Sequence, residues 1–148
     1  MSTLNWPKAL EDLSNINNHF KNNSQSVSVV GFCMGGALTF AALSSIGGWK
    51  TGGAFYGMPD FNIFRLDKIT ANVIAHFGSL DPLEGFSDIK SAQKLKADCE
   101  KNKYPIQVKY RWVYLAFMRT KAMLFATRAH STLVSLLGIV PLSWRVRW

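Results

Sequence analysis

The chain has 148 residues, of which 48% are hydrophobic and 18% are charged, so it holds enough apolar side chains for one folded domain and too many for a disordered protein. Its net charge of +8 is confined to one part of the chain, because residues 1–100 carry eight basic and nine acidic residues whereas residues 101–148 carry nine basic and no acidic ones. The two cysteines lack the spacing of a disulfide framework or a zinc site, which argues against both classes and favours a reducing compartment.

The N-terminal residues add an expectation about location. Residues 1–5 include no basic side chain, and no continuous apolar stretch follows them, so the pattern is not that of a secretory signal. We therefore expect a cytoplasmic protein, with no cofactor and no metal.

The first predicted elements are a helix, a strand and a second helix. Over residues 5–21, hydrophobic side chains recur at steps of three and four, which predicts a helix with one buried stripe. Residues 27–31 form a short β-branched run that is typical of a buried parallel strand. Residues 37–46 are apolar on most sides and predict a buried helix.

Three further strands and one more helix follow. Residues 53–56, 71–77 and 104–110 predict strands, and residues 87–101 place their apolar side chains on one helical face. Strands that alternate with helices predict an α/β fold, with a short parallel sheet flanked by helices on both faces. With so few strands, we also expect the strand at residues 27–31 to have an open edge and the protein to be poorly soluble.

The pattern changes after residue 110. The apolar run at residues 133–144 includes Gly138 and Pro141 and is shorter than the roughly 20 residues that span a bilayer, so we expect no membrane span. A last core helix, a membrane-surface segment and a stretch that folds poorly all stay open for it. We divide the chain into a domain of residues 1–110 and a basic tail of residues 111–148.

The candidate chemistry lies between the first strand and the second helix. Gly31, Cys33 and Gly35 have the form of a nucleophile elbow, in which a sharp turn holds the nucleophile and small residues on either side avoid clashes. The start of the following helix favours a thiolate at Cys33, and the backbone amide of Met34 is placed to donate to an oxyanion. A buried structural cysteine is the alternative.

These residues resemble a known family. The stretch at residues 29–36 looks like the nucleophile motif of the dienelactone hydrolase family, and residues 54–57 resemble the strand end that follows it there. Residues 76–81 are similar to the family's strand that ends in G-x-x-D. The resemblance covers about residues 5–110 and implies a partial α/β-hydrolase fold, a small-molecule ester or lactone as substrate, and Asp81 as the acid of a catalytic triad. The alternative for Asp81 is an ordinary turn residue before Pro82.

The chain also departs from that family in two places. The family has several strands before the elbow, which carry the second oxyanion donor, whereas only 32 residues precede Cys33 here. The family's catalytic histidine lies in a G-H-x-F motif, and the comparable position here is Leu115. His130 lies in an unlike context, while His19 is read as a surface residue and His76 as a packing residue. We expect a copy that is truncated at the N-terminus and divergent after residue 110.

Two functions therefore stay open for the folded part. The chain is either a hydrolase of lactone or ester bonds with a cysteine nucleophile and an impaired site, or an inactive hydrolase remnant that serves as an interaction module. The basic tail raises a third idea, binding to nucleic acid or anionic lipid, but no recognition motif accompanies its charge and we expect no nucleic-acid partner.

Overall fold

The computed structural model describes residues 4–23, 26–111, 124–128 and 133–136. The seven elements predicted before residue 111 are all present, with ends that shift by up to three residues. In chain order, the elements are α1 (Trp6–Asn23), β1 (Val27–Phe32), α2 (Met34–Ser45), β2 (Thr51–Phe55), β3 (Asn72–Gly78), α3 (Ile89–Asn102), β4 (Ile106–Arg111), β5 (Leu124–Arg128) and β6 (Leu133–Leu136).

The strands form one sheet in the order β4-β3-β2-β1-β5-β6. Strands β1 to β4 are parallel, as the sequence predicts, and Cys33 and Asp81 follow the carboxyl ends of β1 and β3. Strand β5 pairs antiparallel with β1, so the expectation of an open edge at residues 27–31 is wrong. Strand β6 pairs antiparallel with β5.

One segment of the tail is a strand and not the helix that the sequence leaves open. Leu133–Leu136 is a strand, so a helix at residues 133–144 is wrong for these four residues. The remainder of that run, residues 137–144, lies outside the described residues. Among the described helices, none combines the length and apolar character that crossing a bilayer takes.

The helices cover one face of the parallel strands. The side chains on that face are buried and join those of α1, α2 and α3 in a single core, which includes Val29, Phe40, Ala54, Phe77 and Leu95. On the opposite face the strand residues are half-buried or exposed, and Ile74 is 47% exposed. The prediction of helices on both faces is therefore wrong for the described residues.

Aromatic side chains line the open face across three strands. Phe32, Phe55 and His76 are register partners in β1, β2 and β3. The ring centroids of Phe32 and Phe55 are 4.7 Å apart, and those of Phe55 and His76 are 5.0 Å apart with nearly parallel planes. Neighbouring side chains on a sheet face pack in this way because they lie about 5 Å apart.

The start of helix α2 lies in close contact with the ends of β1 and β2. Its residues from Gly35 to Leu43 are all buried, which agrees with a helix that is apolar on most sides. A Cβ at Gly31 would overlap the carbonyl of Gly35 and lie 2.7 Å from Oγ1 of Thr39. A Cβ at Gly36 would lie 2.5 Å from the carbonyl oxygen of Phe55. Glycine at both positions therefore lets the start of α2 rest on the ends of β1 and β2.

Helix α3 begins at a side-chain cap. Oδ1 of Asp88 accepts a hydrogen bond from the amide of Ser91 at 3.0 Å, and Oδ2 accepts one from the amide of Gly85 at 2.7 Å. Burial acts to raise the pKa of the Asp88 carboxyl, but these hydrogen bonds outweigh it and the pKa is lowered. The cap thus stabilises α3 most when Asp88 is ionised.

Candidate active site

Cys33 lies at a strained turn between β1 and α2. Its backbone has φ 56° and ψ −122°, in a region that non-glycine residues rarely occupy. The surrounding backbone fixes this conformation: the amide of Cys33 donates to the carbonyl oxygen of Phe55 at 2.9 Å, and its own carbonyl accepts from the amide of Gly36 at 2.8 Å. Strained backbone of this kind is concentrated at functional sites, where the surrounding structure holds the residue in place.

The segment that follows β2 also passes close to this turn. A Cβ at Gly57 would overlap the carbonyl oxygen of Cys33 and lie 2.9 Å from its carbonyl carbon. Only glycine therefore lets the chain after β2 pass so close to Cys33. Cys33 itself is free of a disulfide and is half-buried, whereas Cys99 is buried.

The start of α2 places positive potential beside the sulfur. Met34 is the first residue of α2, and the first amides of a helix have no acceptor within the helix. The helix dipole adds partial positive charge at the same end. The amide of Met34 is therefore available to a developing negative charge next to Cys33.

Asp81 follows β3 and is almost completely enclosed. Its side chain is 4% exposed, and Oδ1 accepts a hydrogen bond from the amide of Leu83 at 3.3 Å. Oδ2 is buried and has no hydrogen-bond partner among the described residues. Because buried carboxylate oxygens are nearly always hydrogen-bonded, this atom is suited to receive a donor that the described residues do not supply.

Tyr56 joins these two residues into one cluster. It directly follows β2, between the ends of the strands that lead to Cys33 and Asp81, and its side chain is 4% exposed. Burial raises the pKa of the Tyr56 hydroxyl first, and the negative charges of Cys33 and Asp81 raise it further. The hydroxyl therefore lies within electrostatic range of both, at the carboxyl ends of three adjacent strands, where sites of parallel sheets gather.

Tyr56 is not among the site residues that the sequence predicts. Residues 54–57 are predicted only as a strand end, although a tyrosine that follows an apolar strand and precedes a glycine is a signal of this position. The backbone of Tyr56 has φ 40°, so it is strained like that of Cys33. No pattern in the sequence indicates a positive φ at a tyrosine.

The structure describes two of the three histidines, His19 and His76. His19 is exposed on α1 and His76 packs against Phe55, which agrees with the roles expected for them. His130 and Leu115 lie outside the described residues.

A groove of about 880 Å³ lies away from the cluster. Its lining residues include Met58, Phe61, Leu95 and Lys101, so it runs between the segment after β2 and α3. Neither Cys33 nor any other residue of the cluster lines this groove, and we do not assign the chemistry to it. Within the described ranges, no three His, Cys, Asp or Glu side chains are grouped so that they could hold a metal ion.

Comparison with known proteins gives one finding about relatives. The model of a protein family described as the dienelactone hydrolase family matches residues 2–133 of the chain. The matched stretch contains Cys33, Tyr56 and Asp81 and extends beyond residue 110, where the motifs of the resemblance end. No curated protein matches the chain significantly.

Proposed function

The chain belongs to the dienelactone hydrolase family, and from this premise we propose that it cleaves small ester or lactone substrates through a thiolate at Cys33. The observation that carries the proposal is the strained backbone of Cys33 at the start of α2, with Asp81 and Tyr56 in the same cluster. A cysteine that only filled space in the core would not need this conformation.

The reaction would be acyl transfer. The Cys33 thiolate attacks the carbonyl carbon, a C–S bond forms, and the carbonyl π electrons move to oxygen. The amide of Met34 donates a hydrogen bond to that oxyanion. When the oxyanion collapses, the C–O bond to the leaving group breaks and the alkoxide or phenolate departs, which leaves a thioester on Cys33. Water then hydrolyses the thioester and restores the thiol.

Asp81 has a supporting part in this proposal. Its unpartnered Oδ2 suits a carboxylate that orients a protonated base. In the family that base is a histidine, and the comparable position of this chain is Leu115. We therefore infer that acylation of Cys33 is faster than hydrolysis of the thioester, so that the site is impaired in turnover and not in its first step.

Rapid-mixing kinetics with nitrophenyl acetate tests the proposal. We expect a burst of nitrophenol of at most one equivalent, followed by slow steady release. The Cys33→Ala variant should lose the burst, whereas the matched Cys99→Ala variant should keep it, because Cys99 is buried in the core at 2% exposure. A wild-type protein without a burst would favour the alternative, an inactive hydrolase remnant that serves as an interaction module.

The two free thiols favour a particular cellular compartment for the proposed reaction. Both cysteines are free, and a thiolate nucleophile needs a reducing environment to stay reduced. We propose the cytoplasm as that compartment and a small-molecule ester or lactone as the partner, without nucleic acid.

A further inference from the structure

We propose that the hydroxyl of Tyr56 is a second hydrogen-bond donor to the oxyanion that forms when Cys33 attacks an ester, acting together with the amide of Met34. This inference rests on the proposed function and adds a residue to it. Its basis is the position of Tyr56 between the strand ends that carry Cys33 and Asp81.

The backbone holds Tyr56 firmly in this position. Its amide donates to the carbonyl oxygen of His76 at 2.7 Å, and the residue before it accepts from the amide of Cys33 at 2.9 Å. A bulky residue at φ 40° persists only when its surroundings fix it. The ring centroid lies 6.4 Å from that of Phe32, the last residue of β1. Tyr56 is therefore bound on both sides to strands that form the site.

The hydroxyl is a donor beside two acidic groups. The negative charges of Cys33 and Asp81 both act on it, and no hydrogen bond to either residue contributes to its pKa. Its raised pKa keeps the proton on the oxygen at neutral pH. A neutral hydroxyl next to a nucleophile can donate to negative charge without adding any of its own.

The hydroxyl matters only when charge develops on the substrate. As the C–S bond forms, the carbonyl oxygen becomes an oxyanion, which would accept one hydrogen bond from Met34 and one from Tyr56. No proton is transferred in this step, and collapse of the oxyanion proceeds as in the proposed reaction. Removing one such donor from an enzyme typically slows the reaction by about 10² to 10³-fold.

Two reactions of the same thiol separate this role from a structural one. Acylation by nitrophenyl acetate forms an oxyanion, whereas alkylation by iodoacetamide displaces iodide from a saturated carbon and forms none. We expect Tyr56→Phe to slow the acylation of Cys33 by about 100-fold and to leave its alkylation within about twofold of wild type. The control Tyr104→Phe removes a hydroxyl beyond α3, outside the cluster, and should change neither rate.

The outcomes of that experiment distinguish failure of the role of Tyr56 from failure of the proposed function. Equal acylation in Tyr56→Phe and wild type overturns the role of Tyr56 and leaves the proposed function standing. Acylation and alkylation that fall together also overturn it, because Tyr56 would then act on the thiol. A wild-type protein that is alkylated at Cys33 but never acylated overturns the proposed function itself.

A titration of the tyrosines gives a second test that leaves Tyr56 intact. Three titratable groups surround Tyr56. Cys33 lies just before α2, His76 lies on β3, and Asp81 lies in the turn after β3. Because the thiolate raises the pKa of Tyr56, Cys33→Ala should lower the pKa of one of the four tyrosines toward its ordinary value. Ultraviolet difference spectra of tyrosinate measure this shift. Identical titrations of the variant and wild type would contradict the proposed closeness of the two residues.

Discussion

A methyl group added at Gly31 should disturb the turn that carries Cys33. In Gly31→Ala the new Cβ would overlap the carbonyl of Gly35 and lie 2.7 Å from Oγ1 of Thr39, which itself donates to that carbonyl at 2.9 Å. Overpacking of a core costs about 1–3 kcal/mol, and loss of the buried hydrogen bond adds about 1 kcal/mol. We therefore expect the free energy of unfolding to fall by about 2–4 kcal/mol.

Urea and thermal unfolding of Gly31→Ala measure this cost. For a chain of this length, the expected loss corresponds to a fall in Tm of roughly 5–15 °C. Gly53→Ala is the matched control, since its Cβ would meet only side chains on the open face, with Val30 at 3.3 Å. That variant should stay within about 1 kcal/mol of wild type. Equal stabilities of the two variants would refute the close approach of α2 to β1.

Three further outcomes follow from the described contacts. Asp88→Ala removes the cap of α3 and should cost about 1 kcal/mol near neutral pH. Because the pKa of Asp88 is lowered in the folded protein, the difference from wild type in urea unfolding should begin to shrink below about pH 4 and should decrease further as the pH falls toward the lowered pKa; a constant difference would contradict the cap. Asn17→Ala removes a buried donor to the carbonyl oxygen of Gly47 at 3.0 Å and should lower the free energy of unfolding by about 1–2 kcal/mol, and with it the urea midpoint. An unchanged midpoint would contradict this contact. Burial raises the pKa of Cys99 to about 11, so at pH 7 iodoacetamide should label it about 100-fold more slowly than an ordinary cysteine, and peptide mapping that shows equal labelling of Cys33 and Cys99 would oppose the structure.

The sequence predicts the parallel part of the fold well. The spacing of hydrophobic residues identifies each helix and strand before residue 111, because these residues recur every three or four positions in a helix and form short continuous runs in a buried strand. The position of Cys33 follows in the same way, since it lies in the short segment between a predicted strand and a predicted helix.

Pairing between distant segments is what the sequence does not reveal. The antiparallel partner of β1 is β5, which follows it by about 90 residues, and no local pattern in Leu124–Arg128 specifies that contact. The open face is a similar case. Alternation of strands and helices does not say on which side of the sheet each connecting helix lies, which is why the prediction of helices on both faces is wrong.

Tyr56 shows the corresponding limit for the site. Its type and its place after a strand are visible in the sequence, but its positive φ and its closeness to Asp81 depend on the register of β2 and β3. Asp81 is predicted as a site residue only through the resemblance of residues 76–81 to the family. Its buried, unpartnered Oδ2 is a property of the folded chain alone.

Mass spectrometry of the protein after brief exposure to nitrophenyl acetate near neutral pH tests the thiolate nucleophile most directly. We predict a single acetyl group per chain, mapped by peptide sequencing to Cys33 as a thioester that hydroxylamine removes. Acetyl groups found on lysines alone, with an unmodified and still alkylatable Cys33, would contradict the account.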